Sequence, residues 1–362
     1  MKVPFAQPIM TEGMVEAAAN ALRNERLTMG DSMFKFEEAF AKMCGVKHAV
    51  SVNSGTAAIQ LSLLAAGVKA NDTVLTSSMS FVATTNAFVA FGGVPAFADV
   101  LDSEYTIDPT KIKITPDTRA IVPVHLYGHP SHMDEIIEIA EEAGILVLED
   151  ACQAHGALYR GKRAGALGDI GCFSFYPTKN MHVGGDGGMV TTDDGDVAEL
   201  VKKLRHCGRK GQYEHDVIGY TARLNSANAA IGIEQLKMLE GWNEKRRAIA
   251  AKYHARLKDL DGLGLPPQPT SDISPVYHLY TVKTARRDQL RAHLDEAGVQ
   301  TGVHYEIPIH LQPIYREMFG YKDGQLPVTE RLCKEVLTLP IFPDLTDDQM
   351  SYVCEKITEF YG

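Results

Sequence analysis

The chain has 362 residues, 45% of them hydrophobic and 23% charged. That balance excludes wholesale disorder and predicts about two domains at ~150 residues each. Its 36 basic against 46 acidic residues give a net charge of −10, without the broad basic footprint of a nucleic-acid binder.

Taken in order, the strand candidates are HAVSV (48–52), TVLTS (73–77), VPAFA (94–98), AIVPVHLY (120–127), ILVLE (145–149), GCFSF (171–175) and GMVTT (188–192). Helical patterns lie between them: TAAIQLSLLAA (56–66), ATTNAFVAF (83–91) and HMDEIIEIAEEA (132–143). Continuously apolar strands alternating with helices predict an α/β fold, with a mostly parallel sheet covered on both faces. After about residue 225 the rhythm changes. A long helical stretch, from NSANAAIGIEQLKML through GWNEKRRAIAAKYHARLKDL, ends near Gly262, and a Pro/Ser-rich connector follows. Beyond it come a strand (VYHLYTVKT), a helix (RDQLRAHLDEAG) and a last helix (TDDQMSYVCEKITEF). A large domain over 1–244 and a smaller α+β domain over 245–362 are expected.

No uncharged apolar run nears the ~18 residues of a membrane span. MKVPFAQPIM holds Pro4 and Pro8 and no apolar signal-type stretch, so a cytoplasmic protein is expected. The six cysteines form no CxxC pair and mostly sit in apolar runs, so they read as reduced, buried thiols rather than disulfides or a zinc site.

Three segments carry chemistry. In VNSGTAAIQL, Ser54, Gly55 and Thr56 lie between a strand and a helix, where free N–H groups and hydroxyls suit a phosphate. A plain helix cap is the other reading. In ILVLED, Asp150 ends an apolar strand, the edge at which open α/β sheets bind ligands; an N-cap is again the alternative. In SFYPTKNMHVGGDGGMV, Ser174 and Lys179 precede glycines at 184, 185, 187 and 188, which let backbone approach a ligand closely. Lysine, carboxylate and phosphate cradle are together what pyridoxal phosphate needs: a primary amine for the Schiff base, an anion opposite the pyridine nitrogen, and an anchor for the phosphate.

On these motifs the chain resembles the DegT/DnrJ/EryC1/StrS family of pyridoxal-phosphate-dependent sugar aminotransferases. The likeness runs from VPFAQPIM, through the segments above, to HYEIPIHLQPIY (304–315) and LPVTERLCKEVLTLPIFPDLT (326–346). It implies aminotransferase fold-type I: a large domain with a mostly parallel seven-stranded sheet, plus a smaller C-terminal α+β domain. By the resemblance, Lys179 is the Schiff-base lysine and proton shuttle, and Asp150 the partner of the pyridine nitrogen. Gln153 lies against the cofactor and bonds its phenolic oxygen, Phe81 stacks on the ring, and Gly55, Thr56 and Ser174 hold the phosphate.

The resemblance also implies a nucleotide-diphosphate keto-sugar as acceptor, most often a 4-keto-6-deoxyhexose. L-Glutamate is the implied donor in a ping-pong reaction, and the implied assembly is a homodimer with shared active sites. The partner's site would be completed by the loop GYTAR (219–223), where Thr221 replaces the family's asparagine. Two further departures are Glu306, where the family reads HYP, and Cys207, where many members have histidine. Members that dehydrate their substrate carry histidine at the lysine position, so Lys179 argues against that chemistry. A ligand- or DNA-binding regulator is opposed by the net charge and by the complete cofactor set.

Other patterns weigh little. GALYRGKR (156–163) has Arg163 where a phosphate-binding loop needs Ser or Thr for magnesium. Asn71-Asp72-Thr73 reads as a turn, not a glycosylation site. His304 and His310 lack a nearby cluster of ligands, so substrate contact or packing is expected in place of a metal. Arg209-Lys210 reads equally as a diphosphate contact or a solvated loop. The helical stretch around 231–257 is expected to pack between domains or subunits.

Overall fold

In the computed structural model, which describes residues 1–362, seven apolar runs form one sheet. They are β1 (His48–Val52), β2 (Thr73–Ser77), β3 (Val94–Ala98), β4 (Thr118–Val122), β5 (Leu146–Asp150), β6 (Ile170–Ser174) and β7 (Gly188–Thr192). Their spatial order is β1-β7-β6-β5-β4-β2-β3. β7 runs antiparallel to both of its neighbours, and the other four pairs are parallel. The α/β class and the mostly parallel sheet are therefore as the sequence predicts.

Helices cover both faces, which is why the central strands carry apolar side chains at successive positions. On one face α3 (Gly55–Ala65), α4 (Ala83–Val89) and α6 (Gly195–Leu204) bury Ile59, Phe88 and Val201 against Val50, Val74 and Leu148. Toward the other lie α5 (Met133–Ala143) and, ahead of the sheet in the chain, α2 (Asp31–Cys44), whose Phe36 and Phe40 pack on Phe173 and Phe175. The sequence reading passed over α2 and the helix before it, α1 (Glu12–Asn24).

AIVPVHLY is not one strand to residue 127. β4 stops at Val122 because Pro123 has no N–H to give the ladder. Pairing resumes only as a Val124–Asp150 bridge, in which Asp150 N donates to Pro123 O and His125 N donates to Asp150 O. A short 3-10 turn over Leu126–Gly128 follows.

α7 (Ser226–Leu257) is one helix of 32 residues. Its second half joins a separate core with β8 (Tyr280–Lys283), α8 (Arg287–Glu296), β9 (Val336–Leu339) and α9 (Asp347–Tyr361). Tyr253, Leu290, Leu337 and Val353 are fully buried there. β8 and β9 pair antiparallel. Val3 is buried in the same core and bridges Val299, so the first residues pack against the C-terminal part.

Candidate active site

The loops after β1, β2, β4, β5 and β6 converge at the carboxyl edge of the sheet, and a cavity of about 540 Å³ opens among them. That edge is where parallel sheets place ligands, because helix N-termini and flexible loops gather there. Gly55, Thr56, Phe81, Asp150, Gln153, Ser174 and Lys179, all expected from sequence, line this one cavity.

Its phosphate-like end is built by the start of α3. The Ser54 side chain caps Ala57 N at 3.1 Å, so the N–H groups of Gly55 and Thr56, in the first turn, have no intrahelical acceptor. Ser174 closes in from the end of β6. A Cβ on Gly55 would lie 2.8 Å from Ser174 Cβ and 2.9 Å from Cys152 Sγ, so only glycine allows this approach. Gly188 is constrained likewise: its Cβ would sit 2.3 Å from Ser54 O. A cradle of free N–H groups, two hydroxyls and a helix N-terminus fits a phosphate dianion.

Lys179 enters from the loop after β6, with its backbone N–H bonded to Tyr176 O. Its Nζ has no hydrogen-bond or ion-pair partner in the chain. Burial lowers the amine below its ordinary value, and Cys152 and Asp150 nearby offset part of that shift. Asp150, 5% exposed, ends β5. Its Oδ2 accepts from Thr84 Oγ1 at 2.7 Å and its Oδ1 from Cys152 N at 3.2 Å. No cation stands within ion-pair distance of it. A buried carboxylate without a cationic partner and an unpartnered amine, facing one cavity, suit a ligand with a protonated ring nitrogen and a reactive carbonyl.

Gln153 is held from both sides. Its Oε1 accepts from Tyr127 N at 2.7 Å, and its Nε2 donates to Tyr305 Oη at 3.1 Å. The Tyr305 ring lies 5.9 Å from that of Phe81, which is 54% exposed and forms one wall of the opening. Burial raises the Tyr305 phenol, so it remains protonated and able to donate. His304 also lines the cavity, where burial and the Lys179 charge push it down to about 4.

Thr221 is the one expected site residue outside this cavity. It is exposed and pairs with His206, with its hydroxyl 3.3 Å from Cys207 Sγ. Glu306 is also exposed, with Arg287 Nη2 at 4.0 Å. Polar cavity residues to which the sequence reading gave no role include Thr84, His278 and Arg246. For Thr84 the signal was a hydroxyl one helical turn past Phe81; Arg246 sits in the helix read as packing alone.

The geometry meets independent comparisons. Residues 8–358 match the model of the DegT/DnrJ/EryC1/StrS aminotransferase family. The chain belongs to that family. It is 42% identical to the dTDP-3-amino-3,4,6-trideoxy-alpha-D-glucose transaminase of Streptomyces venezuelae, over 95% of this chain and 91% of that one. It is also 42% identical to a pleiotropic regulatory protein of Geobacillus stearothermophilus, over 94% of this chain and 92% of the other. The crystal structure of S. venezuelae DesV in complex with a ketimine intermediate superposes with a TM-score of 0.94 at 42% identity, covering 96% of this chain and 94% of that one. The architecture is that of fold-type I aminotransferases, and the protein is an aminotransferase dependent on pyridoxal 5′-phosphate.

Proposed function

We propose that the protein transfers an amino group from L-glutamate to a nucleotide-diphosphate keto-sugar, a 4-keto-6-deoxyhexose. It acts in the cytoplasm as a homodimer with shared active sites. The observation that carries the reading is the pairing of an unpartnered lysine amine with a buried, cation-free carboxylate across a cavity whose far end is a helix N-terminus. The names of relatives support the sugar: one is the S. venezuelae transaminase, and another is a UDP-N-acetyl-3-dehydro-alpha-D-glucosamine 3-aminotransferase of Acidithiobacillus ferrooxidans. Those names favour a second reading, in which the ketone stands at carbon 3.

Once bound, pyridoxal phosphate supplies an electron sink that stabilises negative charge at the donor's Cα. Gly55, Thr56 and Ser174 anchor the phosphate group. Asp150 holds a proton on the ring nitrogen, and Thr84 fixes the orientation of that carboxylate. Phe81 covers one ring face, and Gln153 donates to the phenolic oxygen. Lys179 anchors the cofactor covalently until the donor displaces it, and its freed Nζ then moves the proton from the donor's Cα. A lowered amine pKa suits that role, because a larger fraction of Nζ is neutral and basic at a given pH.

For the assembly, the support is that Thr221 is exposed and does not line this chain's own cavity, on a loop with Tyr213 83% and Ile218 90% exposed. We also propose the division into a cofactor-binding unit, 1–244, and a smaller unit, 245–362. The separate core around Tyr253 and Leu337 supports it, and the joint then falls inside α7.

The test is borohydride reduction of the loaded protein, peptide mapping, and turnover of dTDP-, UDP- and GDP-linked 3- and 4-keto-sugars. A cofactor adduct on Lys179, absent from Lys179→Ala, is expected. An adduct on another lysine overturns the assignment. Exclusive use of a 3-keto-sugar replaces the first reading of the substrate with the second.

A further inference from the structure

His278 has no task among the roles above. It lies just ahead of β8, is 6% exposed and lines the same cavity as Lys179. Its ring is set by a relay of side-chain amides. Main-chain carbonyls only accept, so they fix each amide in turn. Asn243 Nδ2 donates to His155 O at 2.8 Å, which leaves Asn243 Oδ1 as an acceptor. Asn180 Nδ2 donates to that oxygen at 2.9 Å and to Val276 O at 3.0 Å, which leaves Asn180 Oδ1 as an acceptor. His278 Nδ1 stands 3.2 Å from Asn180 Oδ1 and therefore carries the proton. In the neutral ring the lone pair is then on Nε2.

Burial, with the Lys179 and Arg246 charges nearby, holds the His278 ring far below its ordinary value, so it is neutral near neutral pH. Its Nε2 makes no hydrogen bond within the chain. Both ring nitrogens of His155 are sealed in the core without partners, whereas Nε2 of His278 is not sealed. It is a fixed, uncharged acceptor at the cavity wall. Other groups on that wall do different work. Lys179 and Arg246 carry only donors. Asp150 is engaged by Thr84 and Cys152. His304 Nδ1 lies 2.9 Å from Thr338 Oγ1, a hydroxyl that both gives and takes, so its tautomer is not set in this way.

We propose that His278 Nε2 accepts a hydrogen bond from a ring hydroxyl of the keto-sugar, and so helps to select a hydroxylated acceptor. The inference rests on the keto-sugar reading above and adds a residue that serves one half of the ping-pong cycle. Glutamate brings carboxylates, which only accept and find no donor on Nε2, and it has no hydroxyl. A sugar brings hydroxyls, each of which needs an acceptor once water is displaced. An acceptor already locked in tautomer and orientation takes a hydroxyl with little further loss of freedom. Because Asn180 follows Lys179 in the chain, the same relay ties the ring to the lysine loop.

The experiment uses the cofactor-loaded protein, His278→Asn and His278→Gln, with cofactor absorbance and melting temperature as folding controls. The first variant keeps a donor at the δ position for Asn180 and has nothing at ε. The second places an amide oxygen near ε and loses the δ donor. Calorimetry on the pyridoxamine form compares dTDP-, UDP- and GDP-glucose with the matching free diphosphates, and the ratio of affinities isolates the sugar. Single turnovers of the pyridoxal form with glutamate, and of the pyridoxamine form with the keto-sugars, separate the two half-reactions. The expected result in His278→Asn is a loss of about five-fold in the sugar's share of binding, the scale of one neutral hydrogen bond. The concentration for half-maximal rate should rise as much with the keto-sugar and less with glutamate. His278→Gln should recover most of the loss. The opposite order, with His278→Asn kept and His278→Gln impaired, overturns the proposal and leaves His278 a structural partner of Asn180. So does an equal loss in both half-reactions. If native protein turns over none of the keto-sugars, the keto-sugar reading fails, and this assignment with it.

Discussion

Thr84 Oγ1 donates to Asp150 Oδ2 across 2.7 Å, tying the first turn of α4 to the end of β5. The Thr84 hydroxyl hydrogen is thereby committed, so Ser80 Oγ, 2.8 Å away, donates to Thr84 in turn. This pair of hydroxyls aims the one buried carboxylate of the cavity. Asp150→Asn keeps the shape and removes the charge. Turnover should fall about 10²-fold or more, the scale of losing a key electrostatic contact, with a smaller loss of bound cofactor. Thr84→Val removes only one orienting bond, ~1 kcal/mol, and should cost about five-fold. Steady-state rates and cofactor content of both variants check this; an unaffected Asp150→Asn would leave that residue a structural cap.

The lowered Lys179 amine has a consequence for pH. The neutral amine is the nucleophile, and a depressed pKa means that the neutral form appears at lower pH than for free lysine. Rebinding of cofactor to stripped protein should therefore accelerate with rising pH, with a midpoint below that seen for Nα-acetyl-lysine. Stopped-flow absorbance across a pH series measures it, and coincident midpoints would contradict the assignment.

Thr221 tests the shared site. If its hydroxyl reaches the partner's cofactor, Thr221→Val loosens binding by one neutral hydrogen bond, ~1 kcal/mol or about five-fold. Thr221→Asn, the family residue, should bind at least as tightly as the native protein. Cofactor dissociation constants, with the mass in solution, decide the matter. A fully active monomer would remove the shared site.

Glu149, next to Asp150 but facing the other way, carries structural weight. Its carboxylate accepts from Gly165 N at 2.7 Å, Leu167 N at 2.7 Å, Gly168 N at 2.8 Å and His125 Nε2 at 2.9 Å. Ser131 N donates to His125 Nδ1, so the ring proton sits on Nε2 and points at Glu149. Glu149→Gln would turn an NH2 toward backbone N–H groups. Urea unfolding should show a loss of about 3 kcal/mol, the scale of breaking a buried charged network. A loss below about 1 kcal/mol would mean that the network is solvated.

Much was legible in order along the chain. β1, β2, β3 and β7 begin and end where the apolar runs do, because strands buried on both faces need nothing but apolar side chains. Lys179, Asp150 and the Ser54-Gly55-Thr56 turn stood out because each breaks an apolar pattern at a strand end, where solvation must be replaced by a ligand or a cap. α1 and α2 were missed since their apolar residues are interleaved with charge, and only α7 shows what they cover.

The sequence by itself determined the sheet, the family and the candidate residues for the chemistry. Tertiary structure alone decided which side chains face the cavity. Arg246 and Arg247 are adjacent and identical in kind, yet one helical step of 100° turns the first inward to three carbonyls and the second outward to Glu240. Thr84 likewise joins the site because α4 sets it against a strand end 66 residues away. Such pairings are set by the packing of elements distant in sequence, and no local pattern encodes them.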